Sequence, residues 1–350
     1  MMYQEAQYSQ SKPCLQNYMS TPLNSLCEMP YTARIGPDVW TAQRLLQRGE
    51  VVAIPTETVY GLAGNAYDTR AATKIFSIKQ RPYTDPLIVH IGCMAQLEDV
   101  AHALTAQAQV LAKEFWPGPL TLLLAKKPAI PDLVTAGSPY VAVRMPNHAV
   151  TLHLLQQLSF PLAAPSANPF GYISPTTPQH VADQLGTQVP YILSGGRCRV
   201  GVESTIVGFE HDQPTLYRLG GIRVEAIEAL LGPVRVANSP APTQPVVPGS
   251  LLQHYAPTQP LTLGDIPQLL RQNREQRVGI LAWDHYDPGV ARAYQRILSP
   301  TASLEEAAQH LFAHLRTLDA LPIDRILATY VPDVGLGRAI NDRLRRAARA

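Results

Sequence analysis

The chain has 350 residues, 46% of them hydrophobic, with a formal net charge of only +2. That length admits two domains and that apolar content supports a packed core, which excludes wholesale disorder. The near-balance of charge argues against a surface built throughout for nucleic acid, leaving at most a weak RNA contact through local patches. Cys14, Cys27, Cys93 and Cys198 have no CxxC spacing, so neither a disulfide framework nor a zinc knuckle follows, and a reducing, cytoplasmic setting is expected. No apolar run approaches the ~20 residues of a membrane span, so no membrane is expected.

Residues 1–35 lack the basic start and apolar middle of a secretion signal and read as a flexible leader. Asp38 to Arg48 then reads as an amphipathic helix stopped at Gly49. Val51–Ile54 is a short buried strand, and the chain turns polar at once in Pro55-Thr-Glu-Thr-Val-Tyr-Gly-Leu62. A helix over Arg70–Lys79, a strand Leu87–Ile91, two helical stretches to Phe115 and a strand Leu120–Ala125 follow. Strand Val141–Val143, helix His148–Leu158 and strand Pro161–Ala164 come next, then strands Tyr191–Leu193, Ser204–Phe209 and Thr215–Leu219 and a helix closing at Leu231. Strands outnumber helices and several lie close together, which predicts a twisted mixed sheet with flanking helices, an α/β (α+β) arrangement, rather than a pure βαβ series. Seven prolines between 233 and 260 mark a stiff connector. Beyond it, strands Val278–Ala282 and Arg325–Tyr330 and helices Ser303–Leu318 and Arg338–Arg349 predict a small α/β domain over 261–350, leaving 36–232 as the larger one.

Ligands of open α/β sheets sit where loops leave the carboxyl ends of strands. On that ground Thr56, Glu57, Thr58 and Tyr60 face a small polar ligand or merely form a threonine-rich turn. Lys79 and Arg81 either cap a helix C-terminus or meet a phosphate or carboxylate. Asp85 and His90 flank the next strand. Arg144 is either a core-edge ion pair or a bidentate carboxylate anchor. Ser166 and Asn168, in Ala163-Ala-Pro-Ser-Ala-Asn168, cradle phosphate or ribose oxygens or form a simple Asx turn. The stretch Gly196 to Gly201 imitates a P-loop, but Val202-Glu203 replaces the Lys-Ser/Thr, so that motif is rejected. Gly335-Leu-Gly337 lacks the rest of a dinucleotide fingerprint. His310 and His314 lack the HExxH glutamate and read as helix surface, and the arginines from Arg338 to Arg349 read as a solvated face.

Taken in order, PTETVYGL, KQRP with DPLIVH, WPGPLT, VAVRMP, APSAN with SPT, GVESTIV and PGSLLQHYAP resemble the YrdC-like L-threonylcarbamoyladenylate synthases in their longer two-domain form. The resemblance runs from about residue 36 to the end. It implies a mixed sheet with a large concave, basic cavity and a smaller Rossmann-like domain after the linker. It implies condensation of L-threonine, bicarbonate and ATP to threonylcarbamoyl-AMP, pyrophosphate and water. The product passes to the threonylcarbamoyl transferase machinery for adenosine 37 of tRNAs reading codons that start with A. By motif, Thr56, Thr58, His90, Arg144, the backbone at Ala164, and Ser204 form the threonine site. Lys79, Arg81, Ser166 and Asn168 form a catalytic tetrad at the phosphates. Asp85, Tyr140, Ser174 and Arg218 contact the nucleotide, and Tyr255 folds over the ATP side as a lid. Asp85 stands where Asn is common in the family. Mg²⁺ is expected on the triphosphate with no metal site from protein side chains. Two other readings compete: an RNA-binding module with a concave basic surface and no catalysis, and a hydrogenase-maturation type of carbamoyl-transfer domain. The second would need an upstream region for which residues 1–34 are too short and cysteine-poor.

Overall fold

The computed structural model describes residues 33–210, 213–237, 247 and 254–349. Most of the expected leader and the middle of the connector, Pro248–Gln253 included, lie outside them. Arg34–Gly36, placed at the leader's end by the sequence, is strand β1. The larger sheet continues with β2 (Val52–Ile54), β3 (Gly61–Asn65), β4 (Ile88–His90), β5 (Leu120–Ala125), β6 (Tyr140–Arg144), β7 (Leu162–Ala163), β8 (Tyr191–Leu193), β9 (Thr205–Glu210), β10 (Gln213–Arg218) and β11 (Arg235–Val236). Their order is β1-β8-β2-β3-β7-β4-β6-β5-β9-β10-β11, with parallel and antiparallel pairs mixed along it.

Strand β3 has no alternating pattern because two of its five residues are glycines. A Cβ at Gly64 would sit 3.2 Å from that of Ala71 and 3.3 Å from Ile75 Cδ1, so the strand is small in order to admit the helix Thr69–Lys79 close against it. Two further helices also escaped the sequence reading, Pro178–Leu185 and Ile266–Gln272. Both carry the usual start signals, a capping Thr177 or Asp265 and a proline in the first turn. They are short, which is why periodicity missed them.

Alternation along the central strands divides the sheet into two faces. Val89, Val141, Val143, Leu122 and Leu124 enter the main core under the helices. Ile88, Ala142, Leu123 and Ile206 belong to a small apolar cluster on the other face. That second face carries the site described below.

The C-terminal part is a parallel four-stranded sheet: β12 (Leu261–Leu263), β13 (Val278–Ala282), β14 (Gln295–Ile297) and β15 (Arg325–Ala328), in the order β12-β15-β13-β14. Its helix Leu304–Asp319 packs onto the larger sheet's loops. Val59, Ile173 and Val202 share one buried cluster with Ala307, Ala308, Leu311, Phe312 and Leu315. Each large side chain fully buried there stabilises by about 1.5–3 kcal/mol, enough together to hold the two parts as one body. Polar ties reinforce the seam. Tyr172 Oη donates to Asp319 Oδ2 at 2.6 Å, and the Arg316 guanidinium donates to Ile173 O at 2.5 Å and Gln184 Oε1 at 2.9 Å.

Gly201 is the tightest point of this seam. It adopts φ +79°, and a Cβ there would lie 2.3 Å from Ala308 O and 2.4 Å from Gln309 Cα. Gly201→Ala is expected to cost about 1–3 kcal/mol from the left-handed backbone alone, plus displacement of the helix. Calorimetry should show a lowered Tm; an unchanged Tm would mean that the seam is loose.

Candidate active site

Strands β4 and β6 run parallel with His90 opposite Arg144 in register. β7 lies on the other side of β4, with Leu162 opposite His90. β9 and β10 bring Ser204 and Arg218 to the same region. Loops from β2 and β7 close over it, and Tyr255 arrives from the connector. The resulting cavity, about 520 Å³ with its mouth included, is lined by Thr56, Thr58, His90, Arg144, Ala164 and Ser204. These are the six residues expected at threonine. Arg81, Ser166, Arg218 and Tyr255, four of those expected at ATP, line it too, together with Glu203 and His254.

The Pro55–Leu62 run is a self-bonded turn. Thr56 Oγ1 donates to Val59 O at 2.6 Å and accepts from the backbone N–H groups of Thr58 and Val59. Its contact of 2.8 Å with Thr58 Oγ1 aligns the two hydroxyls. Tyr60 does not face the cavity; its Oη donates to Gly196 O and accepts from Gly195 N, locking the glycine loop. Arg144 donates to Thr58 Oγ1 at 2.9 Å and to Gly118 O at 3.3 Å, and it pairs with Glu57 at 2.6 Å. Both members of that ion pair are at most 4% exposed at their side chains. Arg144 therefore makes the ion pair that was one of its two sequence alternatives, and it also lines the cavity.

The basic tetrad divides. Lys79 is buried, and its Nζ donates to Ser166 O at 2.6 Å and Asn168 O at 2.5 Å. It does not line the cavity; it ties down the turn that presents Ser166. Burial, and secondarily Arg81, lowers its pKa well below the ordinary lysine value. Asn168 also stands behind the wall, donating from Nδ2 to Pro169 O and Tyr172 O. Arg81 faces the cavity while donating to Asp85 O and Pro86 O and pairing with the Asp85 carboxylate at 2.9 Å. Asp85, fully buried, is thus a partner of Arg81 and not part of the cavity lining.

On the third side, Arg218 donates to Ser204 O at 3.0 Å and Ser204 Oγ at 2.9 Å, and that hydroxyl also meets Thr121 Oγ1 at 2.7 Å. Ser174 is buried behind the wall and donates to Glu203 Oε1 at 2.6 Å. Tyr255 takes φ +67°, stacks on Phe312 with centroids 5.6 Å apart, and lies 4.1 Å from the His254 ring. Ala256 N donates to Gly171 O at 2.8 Å, so the connector's end is stitched to the Ser166–Ser174 loop. Tyr140 is set apart: it opens β6, is 46% exposed and does not line the cavity. It stands roughly 13 Å along the strand from Arg144 at ~3.3 Å per residue.

Two contributors went unassigned in the sequence, and a third plays another part. Glu57, expected with Thr56 and Thr58 to face a small polar ligand, is instead buried against Arg144 and does not line the cavity. Glu203 served only to reject a P-loop. His254 was hidden in the connector motif. The arginine-rich last helix was read as solvated, yet Arg343 is 1% exposed and bonds Glu203. Its burial cannot be read from periodicity, because the surface that covers it belongs to another domain. His310 and His314 are half-buried, with His310 Nδ1 3.0 Å from Leu298 O, not a free surface. Among the described residues no cluster of three His, Cys, Asp or Glu side chains forms a metal site, and no helix is long and apolar enough to cross a membrane.

Burial sets the electrostatics. It pushes the His90 pKa down to about 3, with Arg144 adding to the effect. It also lowers Arg218 to about 10. His254 is held neutral by burial and by the cations Arg81, Lys79, Arg343 and Arg346. Among the described residues the site is a basic, hydroxyl-rich chamber without a cysteine nucleophile or a triad. Such a chamber is suited to holding a carboxylate against phosphates and stabilising charge that builds between them.

Residues 44–220 match the family described as "Telomere recombination" (Sua5_yciO_yrdC), and residues 222–349 match "Threonylcarbamoyl-AMP synthase, C-terminal domain". The chain is 42% identical over 322 residues to the threonylcarbamoyl-AMP synthase of Bacillus subtilis, covering 89% of this chain and 93% of that protein. It is 38% identical over 321 residues to the protein of the same name from Pyrococcus abyssi, covering 88% and 93%. The fold is similar to that of Pyrococcus abyssi Sua5 crystallised with L-threonine: TM-score 0.83 at 38% identity, covering 89% of this chain and 95% of that one.

The neutral His90 has a consequence for stability. Its pKa falls from 6.5 to about 3 on folding. Below pH 6.5 the unfolded chain therefore takes up a proton that the folded chain refuses, and stability is lost as pH falls through that window. In denaturant titrations, His90→Gln should lose stability less steeply between pH 6 and 4, by about 1.4 kcal/mol per unit. Equal slopes would refute the assignment.

Proposed function

The chain belongs to the two-domain threonylcarbamoyl-AMP synthase family, and from that premise we propose how its cavity performs the synthesis. The activity is that of a threonylcarbamoyl-AMP synthase serving tRNA modification. The observation that carries the proposal is that Arg144 and Thr58 line the same cavity as Arg81, Ser166 and Arg218. An amino-acid carboxylate and a polyphosphate thus both find cations in the same chamber.

In this reading L-threonine binds with its carboxylate on Arg144. Thr56, Thr58, His90 and the backbone at Ala164 define its pocket, and Ser204 closes it. The threonine amine attacks the carbon of bicarbonate and water departs, leaving a carbamate. A carbamate oxygen then attacks the α-phosphorus of ATP, and pyrophosphate leaves as threonylcarbamoyl-AMP forms. Both steps bring anions together, so the chain's work is to hold them in line and to offset their charge. Arg81 and Arg218 face the phosphates. Lys79 and Asn168 act one step back, by shaping the turn that presents Ser166. Asp85 orients Arg81, Ser174 orients Glu203, and Tyr255 with His254 covers the nucleotide side. Tyr140 would reach only a part of the nucleotide outside the main cavity.

Mg²⁺ would travel on the triphosphate and neutralise part of its charge. The donor set fits that role and no dedicated protein site, since Glu203, the acid lining the cavity, is already engaged by Ser174 and Arg343. The product would pass to the tRNA threonylcarbamoyl transferase machinery, in the cytoplasm. We take 36–232 as the catalytic domain, 233–260 as connector and lid, and 261–350 as the C-terminal domain.

Incubated with ATP, L-threonine and labelled bicarbonate, the protein should release pyrophosphate and form a labelled acyl-AMP, with far less product from serine. Equal product from serine, or none from threonine, would overturn the substrate assignment. Arg144→Ala should raise the threonine KM by about 10- to 150-fold, the worth of a charged hydrogen bond, and leave the ATP KM nearly unchanged. Because that change strands Glu57, the same result is expected from Glu57→Gln/Arg144→Ala, which leaves no unpaired buried charge.

A further inference from the structure

Arg343 lies on the last helix, Gly337–Ala347, whose Arg338 and Arg345 side chains are 38% and 47% exposed. Its own side chain is 1% exposed and is spent wholly on the other domain and on its neighbour. Nε donates to Glu203 Oε2 at 2.8 Å, Nη2 to Leu219 O at 2.8 Å and Nη1 to Asp342 Oδ2 at 2.6 Å. The guanidinium carbon Cζ lies over the Tyr255 ring, 4.9 Å from its centroid. Apart from the one to Asp342, each contact leads to a residue at or next to the nucleotide side. Glu203 receives the Ser174 hydroxyl on its other oxygen, Leu219 is the chain neighbour of Arg218, and Tyr255 lines the cavity itself.

We propose that Arg343 is a positioning residue through which the C-terminal domain shapes the ATP half of the active site. The proposal rests on the function given above and goes beyond it by assigning that domain a part in nucleotide binding. Three donations in fixed directions and a stacked aromatic ring need a planar fork, which lysine lacks. Glu203 lines a cavity meant for phosphates, where an unneutralised carboxylate would repel them, and Arg343 cancels its charge from behind the wall. On the threonine side Thr56, Thr58, His90 and Arg144 make none of these contacts, and Ser204, chain neighbour of Glu203 and partner of Arg218, is where the two sides meet. A residue that merely glued the domains together would have no reason to discriminate between the two substrates. The shared apolar cluster around Leu311 and Phe312 already supplies the glue.

Steady-state kinetics on the full chain test the assignment. Arg343→Gln should raise the ATP KM about tenfold or more, as expected for losing charged hydrogen bonds. The threonine KM should stay within about twofold, which is below a single hydrogen bond's worth. Arg343→Lys should recover part of the ATP affinity. Arg343→Gln leaves Glu203 buried without its cation, so folding is checked by melting, and Glu203→Gln/Arg343→Gln is assayed beside it. The double variant should melt closer to the unmodified protein and still bind ATP weakly, because Leu219 and Tyr255 have lost their partner. An unchanged ATP KM in either folded variant, or an equal rise in both KM values, would overturn the proposal. No acyl-AMP from the unmodified protein would instead strike the underlying function, which keeps the two failures apart.

Discussion

Burying cations is the constraint on which the rest of this structure depends. Among the described residues five basic side chains are at most 7% exposed: Lys79, Arg81, Arg144, Arg218 and Arg343. The acids buried with them are three, Glu57, Asp85 and Glu203. A desolvated cation without partners is prohibitively costly, so each must be met by carboxylates, carbonyls or hydroxyls in fixed places. Glu57 meets Arg144, Asp85 meets Arg81 and Glu203 meets Arg343. Lys79 takes two backbone carbonyls and Arg218 takes Ser204. The surplus of positive charge remains, and a ligand carrying carboxylate and phosphate charge is what offsets it.

The mixed sheet makes this arrangement affordable in geometric terms. Alternation sends valines and leucines into a core under the helices and leaves the opposite face of the same strands for Ile88, His90, Ala142 and Arg144. Pairing β4 with β6 in parallel puts His90 and Arg144 side by side at the ends of their strands. The loops leaving β2 and β7 are rigid because their own polar groups are spent internally, Thr56 within its turn and Lys79 on the Ser166–Asn168 carbonyls. Rigidity of this kind places charge without reorganisation at the moment of reaction.

The C-terminal domain packs directly behind the wall of the site. The helix Leu304–Asp319 supplies Phe312 beneath Tyr255, and the last helix supplies Arg343 beneath both Tyr255 and Glu203. A left-handed Tyr255 is strained for a residue with a side chain and persists where its surroundings over-determine it. Here stacking on one domain and a strand-like bridge from Ala256 to Tyr172 on the other hold it.

The mixed character of the sheet and several of the residues that line the cavity were legible in the sequence; the order of the strands in the sheet was not. Hydrophobic stretches broken by hydroxyls and basic residues leave a pattern that does not need the fold to be seen. The division of labour was not legible. Lys79 and Asn168 belong to a phosphate motif by sequence, yet their side chains are used behind the wall, and Tyr140 sits at the far end of the strand that ends in Arg144. Glu57, Glu203 and Arg343 look like ordinary surface charges until strands and a second domain close over them. Local sequence determined which polar groups the chain carries and roughly where each strand stops. Only the tertiary structure decided which of those groups would be buried together, because the low dielectric that makes a charge need a partner exists only once distant segments have excluded water.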